Sequence, residues 1–291
     1  MLANSELRTV KKDMANLNFD VVVKIGSMAL IRQEDNDLDY NIFARLGAQL
    51  KPGYILVSSG ATEIGRLDYM KRNNGNELKG DMEEVKTDYA AQGQSILMEN
   101  YRQFIKPIYS IRQVLVEHSH FNDEEKREHI KKLLFRAANQ NAIPIVNYND
   151  AVSSEENRKM ELAALRKKEE NIVECIDNDE TAAVIATLVQ AKIFIMLTSV
   201  YGIYKDPKDP STLISEVTAP NMDQLIEKLT KMMQYCKGAS REGTAGAISK
   251  LKFAQKPLEC GSTVIIAHAK YKLDDIIQGK VKRTLIQLKE D

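Results

Sequence analysis

Short runs of β-branched residues alternate along this chain with longer segments in which apolar residues recur at helical spacing. Seven runs predict strands: Asp20–Lys24, Tyr54–Ser58, Val114–Glu117, Ile143–Asn147, Ile193–Thr198, Thr263–Ala267 and Thr284–Leu288. Alternating strands and helices of this length favour parallel pairing, because each helix can carry the chain back across the sheet. The predicted fold class is α/β: an open, mainly parallel sheet sandwiched by helices. Ligands bind such sheets beyond the carboxyl ends of the strands, so residues directly after strands are the candidates.

Apolar residues at helical spacing predict four helical faces, within Tyr89–Phe104, Ile130–Ala138, Leu225–Met233 and Ile248–Ala254. The second face follows three acidic residues, and Asn122 is its expected N-cap. Two polar stretches interrupt the pattern. Asn73–Glu84 is expected to be a surface loop. Ser153–Asn171 is densely charged, which is typical of a solvated helix or mobile insertion and also suits a lid or a partner surface.

Composition excludes several classes of protein. The 41 Lys and Arg residues balance 41 Asp and Glu residues, so net charge gives no argument for binding nucleic acid or a membrane surface. No apolar run approaches the roughly 18–20 residues of a membrane span, and the first residues lack the apolar core of a signal peptide. Three cysteines without a CxxC pair and four histidines without ligand spacing predict no metal site. We expect a cytoplasmic globular protein.

Two clusters follow the first two predicted strands. Lys24 ends its strand and precedes Gly26, which places an ammonium group and free backbone amides where an anion could bind. Ser59 and Gly60 follow the next strand and lead into a helix start, where backbone amides favour negative charge. A strand-end lysine is more often simply solvated, and a tight strand–helix turn without a ligand is as common as one that binds an anion.

Two further clusters combine amides with carboxylates. Asn147-Tyr148-Asn149-Asp150 ends the fourth predicted strand and could bind the ammonium and carboxylate of an amino acid, although Asn-Asp is also common in turns. Asp177-Asn178-Asp179-Glu180 precedes an apolar-periodic segment, where acidic residues are also common helix caps.

The last two clusters are rich in small residues. Leu197–Tyr204 reads LTSVYGIY, and Gly243–Lys250 reads GTAGAISK, a Gly/Thr turn leading into a helix that carries a lysine. The second does not have the GxxxxGK[ST] spacing of a P-loop, and no GxGxxG occurs in the chain.

Six motifs, in this order and spacing, resemble those of the amino-acid kinase family. They are strand–KxGS, strand–SSGA, strand–NxND, DND–helix, LTxxxGIY and GTxG…SKL. Ala90–Gln94 is also similar to the AAxGQ segment of these enzymes. The resemblance runs from Val21 to Ala267 and is strongest to the glutamate 5-kinases (γ-glutamyl kinases). It implies ATP-dependent phosphorylation of the side-chain carboxylate of L-glutamate, the first step of proline biosynthesis, with Mg²⁺ accompanying the nucleotide.

The resemblance also implies residue roles. Lys24 and Lys250 match two catalytic lysines, and Asp179 matches the aspartate that orients them. The implied acid-binding residues are Ser59, Gly60, Asn147, Asp150, Asp177 and Asn178. The implied nucleotide-binding residues are Lys24, Gly26, Thr198, Ser199, Gly202, Tyr204, Gly243, Thr244, Gly246 and Lys250. One kinase domain, 1–291, would then divide into an N-terminal lobe for the acid (1–172) and a C-terminal lobe for the nucleotide (173–291).

Departures from the family pattern keep two alternatives open. Ser199 stands where the family motif LTDxxGLY has an aspartate, and the charged segment Ser153–Cys175 lengthens the connection between NYND and DND. The alternatives are a kinase for another carboxylate or phosphate acceptor, and a weakly active nucleotide-binding regulator. The resemblance further implies a homo-oligomer. Many members carry an RNA-binding-like PUA domain after the kinase domain, and we expect this chain to lack it, as some members do.

Overall fold

The fold is built on one eight-stranded sheet. The computed structural model describes residues 19–32, 34–153, 155–167, 172–175, 178–206, 208–236 and 244–289. The strands are β1 (Val21–Ile25), β2 (Ile31–Arg32), β3 (Asp37–Leu38), β4 (Tyr54–Ser58), β5 (Ser110–Val116), β6 (Ala142–Tyr148), β7 (Ile193–Thr198), β8 (Ile203–Tyr204), β9 (Leu213–Ile214), β10 (Glu216–Ala219), β11 (Thr263–His268) and β12 (Arg283–Leu288). The main sheet has the order β10-β12-β11-β7-β1-β4-β6-β5. All its pairs are parallel except β11–β12, so the predicted mainly parallel sheet is confirmed.

Helices cover both faces of this sheet. They are α1 (Tyr40–Gly47), α2 (Ala61–Arg72), α3 (Met82–Phe104), α4 (His118–Asn122), α5 (Glu124–Asn139), α6 (Glu155–Arg166), α7 (Asn178–Leu188), α8 (Met222–Cys236), α9 (Thr244–Glu259) and α10 (Leu273–Ile277). None of the helices in the described ranges is both long and apolar enough to cross a bilayer.

Several predicted boundaries are wrong by a few residues, among them the strand predicted at Val114–Glu117, which is Ser110–Val116, and two helix starts. The N-cap of α5 is Asp123 rather than Asn122, because the Asp123 carboxylate accepts a hydrogen bond from the backbone N–H of Lys126 at 2.9 Å. The predicted loop 73–84 ends early, since Asp81 caps α3 and the helix begins at Met82. In both cases a side-chain cap decides where the helix starts.

The period of two along β1 decides which side of the sheet each residue faces. Val22 belongs to the apolar cluster beneath α7, whereas Val21, Val23 and Ile25 belong to the cluster on the opposite face. Lys24 lies two residues after Val22 and therefore faces the α7 side. A buried strand thus carries its only charged side chain toward the first turn of α7.

Two helices cross in backbone contact on the other side of the sheet. A Cβ atom added at Gly65 of α2 would lie 1.8 Å from the carbonyl oxygen of Tyr89, and one added at Gly93 of α3 would lie 1.8 Å from that of Ala61. Only glycine allows this approach. The Gly93 contact fixes α3 against the helix that starts directly after the predicted SSGA turn.

The charged stretch 153–171 forms a helix that is packed along one edge. Leu162 of α6 is buried, and Glu161 Oε2 lies 2.8 Å from Nε2 of the buried His118 in α4. Met160 on the other side of α6 is exposed. Residues 154 and 168–171 of the stretch lie outside the described ranges. The helix is therefore docked on the protein near the end of β6.

Candidate active site

Two lysines share one buried carboxylate at the centre of the sheet edge. Nζ of Lys24 lies 2.7 Å from Oδ1 of Asp179, and Nζ of Lys250 lies 2.9 Å from Oδ2 of the same residue. Lys24 comes from β1, Asp179 from the first turn of α7 and Lys250 from α9. Three elements that are far apart in sequence thus bring together the three residues predicted to carry catalysis.

The charges stabilise one another in a largely dry environment. The side chains of Lys24 and Asp179 are 9% and 5% exposed, and that of Lys250 is 15% exposed. Burial by itself would raise the pKa of Asp179, but the two ammonium groups outweigh this and hold the pKa below its ordinary value. Asp179 therefore stays ionised at neutral pH and fixes the positions of both lysines.

Glycines leave space beside both ammonium groups. A Cβ atom at Gly26 would lie 3.7 Å from Nζ of Lys24, and one at Gly246 would lie 3.7 Å from Nζ of Lys250. The carbonyl oxygen of Gly246 also accepts a hydrogen bond from Lys250 at 3.3 Å. Two cations beside exposed backbone suit a polyphosphate, so these four residues fit the predicted nucleotide.

An amide network connects this centre to the end of β6. Asn147 is buried, and its Oδ1 accepts a hydrogen bond from Nδ2 of Asn178 at 3.0 Å. Its Nδ2 donates to Oε1 of Gln94 at 2.8 Å. Since Asn178 directly precedes Asp179, the predicted acid-binding amides lie next to the lysine pair. Gln94 was not among the predicted site residues, although Ala90–Gln94 belongs to a segment that the resemblance had marked.

The Gln94 amide has a donor available at this place. Its Nε2 is buried and has no hydrogen-bond partner among the residues that the structure describes. An unpaired buried donor destabilises the folded protein. A ligand atom that accepts a hydrogen bond from this N–H would remove that cost.

Ser59 and Gly60 lie beside the end of β1. The backbone N–H of Ser59 donates to the carbonyl of Ile25 at 3.1 Å, which holds the turn against the strand that carries Lys24. Gly60 has φ +115° and starts α2, a conformation that a residue with a Cβ rarely adopts. The turn thereby directs the amino end of α2 toward the candidate site.

Asp150 lies in a half-buried position after β6, close to a cation that sequence reasoning missed. Burial raises the pKa of Asp150, and the positive charge of Arg158 on α6 opposes that rise. Arg158 also lies over the ring of Tyr148, with its guanidinium carbon 5.7 Å from the ring centroid. Among the described residues no hydrogen bond joins Asp150 to the other predicted acid-binding residues.

The predicted nucleotide segment folds over the ends of β7 and β12. The Thr198 hydroxyl accepts a hydrogen bond from the backbone N–H of Val200 at 2.8 Å, which leaves Ser199 exposed in the bend. A Cβ atom at Gly202 would lie 2.4 Å from Oγ1 of Thr284, so this glycine is required for packing against β12. Tyr204 pairs with β9 in a short hairpin.

A cluster of Tyr201, His268 and Lys270, which the sequence did not reveal, lies at the predicted nucleotide segment. Nζ of Lys270 donates to the Tyr201 hydroxyl at 2.6 Å, and the hydrogen bond to Lys270 lowers the pKa of Tyr201. The Tyr201 ring centroid lies 5.2 Å from that of His268, at the end of β11. Lys270 is 69 residues from Tyr201, so no local pattern could indicate their contact.

Some predicted positions cannot be placed. Asp177 and Gly243 lie outside the described residues, and Thr244 begins α9. In the part of the chain that is described, no group of three or more His, Cys, Asp or Glu side chains is arranged to hold a metal ion.

Comparison with known proteins agrees with this arrangement. The sequence model of the amino acid kinase family matches residues 21–268. A glutamate 5-kinase of Alkaliphilus metalliredigens (strain QYMF) is 27% identical over 286 residues, which cover 95% of this chain and 98% of that protein. Glutamate 5-kinases of Enterococcus faecalis (strain ATCC 700802 / V583) and Geobacillus thermodenitrificans (strain NG80-2) are 30% and 32% identical, and the matches cover 91% of this chain in both cases and 93% and 67% of those proteins.

Solved structures show the same fold at low sequence identity. Carbamate kinase from Giardia lamblia bound to AMP-PNP has a TM-score of 0.58 at 12% identity, covering 94% of this chain and 99% of that one. An isopentenyl phosphate kinase substrate complex has a TM-score of 0.53 at 14% identity, covering 92% of this chain and all of that one (100%). Together with the match over residues 21–268, these findings show that the chain belongs to the amino acid kinase family.

Proposed function

We propose that this protein transfers the γ-phosphoryl group of ATP to the side-chain carboxylate of L-glutamate. The observation that carries the proposal is the pair of lysines, Lys24 and Lys250, ion-paired to Asp179 directly beside the amides of Asn147 and Asn178. Its similarity to glutamate 5-kinases over most of the chain supports glutamate as the acceptor.

The chemistry needs positioning and positive charge more than it needs a base. The acceptor carboxylate is already ionised, so its oxygen attacks the γ-phosphorus while the bond to the bridging oxygen breaks and ADP leaves with the electron pair. Negative charge spreads over the transferring group, and both reactants are anions. Lys24 would lie against the phosphoryl group in transit and Lys250 against the β- and γ-phosphates, where preorganised cations stabilise the transition state. Asp179 would keep both lysines in place without accepting a proton.

The two substrates would bind in different lobes of the protein. The acid would bind mainly in a lobe formed by residues 1–172, at Ser59, Gly60, Asn147 and Asp150, with Asn178 contributing from the other lobe. The nucleotide would bind the lobe formed by residues 173–291. Mg²⁺ would be held mainly by phosphate oxygens and water, as suits its octahedral coordination. We also propose a cytoplasmic homo-oligomer that acts on a small molecule and requires neither nucleic acid nor a membrane.

The first test is ATP consumption over a panel of amino acids, with hydroxylamine present to trap an acyl phosphate as a hydroxamate. We expect hydroxamate with L-glutamate. Release of ADP without hydroxamate for any acid would instead indicate a hydroxyl or phosphate acceptor. Nucleotide binding without turnover would favour a regulatory protein, for which the replacement of the family aspartate by Ser199 is the main argument.

The second test removes each lysine. Lys24→Ala and Lys250→Ala should each lower kcat by roughly 10²–10³-fold, the usual effect of removing one electrostatic stabiliser. Lys256→Ala is the matched control, because Lys256 lies on the same helix as Lys250 and makes an exposed ion pair with Glu259. Activity near that of the unchanged protein in both lysine variants would contradict the mechanism.

A further inference from the structure

The helix α6 brings a positive charge to the acid-binding end of the sheet. Leu162 is buried and Glu161 contacts His118, so one edge of the helix is held against α4. Arg158 lies one turn earlier along α6 and is half-buried. Its Nη1 donates to the carbonyl oxygen of Cys175 at 3.4 Å. The docking of α6 therefore fixes where this guanidinium lies.

Arg158 has unused capacity for an anion. A guanidinium has five N–H donors in a planar fork that matches a carboxylate. No carboxylate of the described residues lies within 4 Å of it, although Asp150 is near enough for the two charges to affect each other. The contacts of Arg158 with the Cys175 carbonyl and the Tyr148 ring leave N–H donors that suit a ligand carboxylate.

The two charges together match the end of an α-amino acid. Asp150 offers a carboxylate to an ammonium group, and Arg158 offers a guanidinium to a carboxylate. Asn147, three residues before Asp150, accepts a hydrogen bond from Asn178, the residue before Asp179, so this pair lies at the same edge of the sheet as the lysines. An acceptor with a zwitterion at one end and a second carboxylate at the other has charges that complement both groups of residues.

We propose that Arg158 binds the α-carboxylate of the acceptor and thereby makes the enzyme specific for an α-amino dicarboxylic acid. This assignment rests on the proposed function, because it gives the non-reacting end of glutamate its binding residue. It also gives the charged insertion a role, as the element that carries a specificity-determining residue to the substrate.

The experiment compares two ligands in two proteins. Arg158→Met keeps an unbranched apolar side chain and removes the guanidinium and its charge. We expect the KM for L-glutamate to rise about 10- to 100-fold, since a charge-assisted hydrogen bond contributes about 1.5–3 kcal/mol and each 1.4 kcal/mol is tenfold. The kcat should change by less than about threefold, because the contact is equal in ground and transition states. The inhibition constant of 4-aminobutyrate, which lacks the α-carboxylate, should stay nearly the same.

Two further variants separate binding from structure. Arg158→Lys should recover part of the affinity, since lysine keeps the charge but not the fork. Arg166→Met on the same helix removes the exposed pair with Glu174 and should leave the KM unchanged. An unchanged KM in Arg158→Met, or an equal loss for glutamate and 4-aminobutyrate, would overturn the assignment. Absence of hydroxamate with every amino acid in the unchanged protein would contradict the proposed function itself. That result differs from both outcomes for Arg158→Met.

Discussion

Asp179 shows at the scale of one residue how a carboxylate can organise a cationic site. Its two oxygens lie 2.7 and 2.9 Å from the two lysine nitrogens. Without it, two ammonium groups would face each other in a poorly solvated space. Breaking a buried ion pair from one side is costly because the remaining charge is left uncompensated. Asp179 therefore contributes to stability as well as to the proposed reaction.

The pH dependence of stability follows from the lowered pKa. Asp179→Asn should reduce the free energy of unfolding in urea by about 3 kcal/mol at pH 7. A carboxyl with a depressed pKa stabilises the folded state above its unfolded pKa of about 3.9 and loses this effect as pH falls through the folded pKa. The difference between the two proteins should thus be constant from pH 7 to about pH 5 and shrink below pH 4.

A surface carboxylate provides the control for this comparison. Asp20 pairs with Lys192 at 2.8 Å, and both side chains are more than half exposed. Asp20→Asn should change stability by less than about 1 kcal/mol, as solvent screens such pairs. A difference for Asp179→Asn that stays the same down to pH 3 would show that its carboxylate is not responsible.

Site residues could be predicted from the sequence where their motif lies at the end of a strand or near the start of a helix. Lys24 lies near the end of β1, Asp179 in the first turn of α7 and Lys250 in the second turn of α9, so local sequence decides their positions once the family pattern is seen. Arg158 and Lys270 could not be found this way. Arg158 depends on how α6 docks, and Lys270 meets Tyr201 only because β7 and β11 are neighbours.

Elements depend on close backbone contact as much as on apolar faces. The crossing of α2 and α3 brings the peptide groups at Gly65 and Gly93 together. The side-chain carbonyl oxygen of Gln94, the next residue, accepts a hydrogen bond from the Asn147 amide. Helical period predicted α3, but the reason for glycine at position 93 appears only when the partner helix is in place.

A methyl group tests this crossing. Alanine has a helix propensity about 1 kcal/mol better than glycine, so Gly93→Ala would stabilise an exposed helix. Here the Cβ atom would lie 1.8 Å from the Ala61 carbonyl oxygen. The destabilisation caused by this clash should exceed the gain in helix propensity. We expect a net loss of roughly 3 kcal/mol in thermal or urea unfolding, together with a raised KM for glutamate through displacement of Gln94. Ala91→Ser, at an exposed position of α3, should have little effect; equal stability of the two variants would refute the argument.

The accuracy of the strand predictions follows from burial. Interior strands such as β4 and β7 are continuous apolar runs, and both were predicted with their observed bounds. The edge strand β10 (EVTA) was missed because half of it is polar and it has only four residues. The two-stranded pairs β2–β3 and β8–β9 are too short for any periodicity to show.

At the scale of the whole molecule, one sheet joins the two halves of the chain. Strands before residue 172 occupy one side of the order and strands after it occupy the other, with β1 and β7 as direct neighbours between them. The helix α7 packs across this junction and carries Asp179 to Lys24. The proposed separation of acid and nucleotide binding therefore does not require separately folding units.

Cooperative unfolding is the expected consequence. Separating the halves would expose the buried edges of β1 and β7, so urea should unfold both together, with coincident transitions by far-UV and near-UV circular dichroism. Residues 173–291 expressed alone should not adopt a stable fold, because β7 would become an unprotected edge strand. Two resolved transitions, or a folded C-terminal fragment, would mean that the halves are independent.

The pairing of two lysines with one aspartate also has a long-range effect. The chain as a whole is electrically neutral, yet these three largely buried side chains leave an excess of one positive charge at the edge of the sheet. A field concentrated in this way accelerates the diffusional encounter with a polyanion, and dissolved salt weakens it. The charges of the whole chain sum to zero, but an approaching nucleotide responds to the local electrostatic potential at the site.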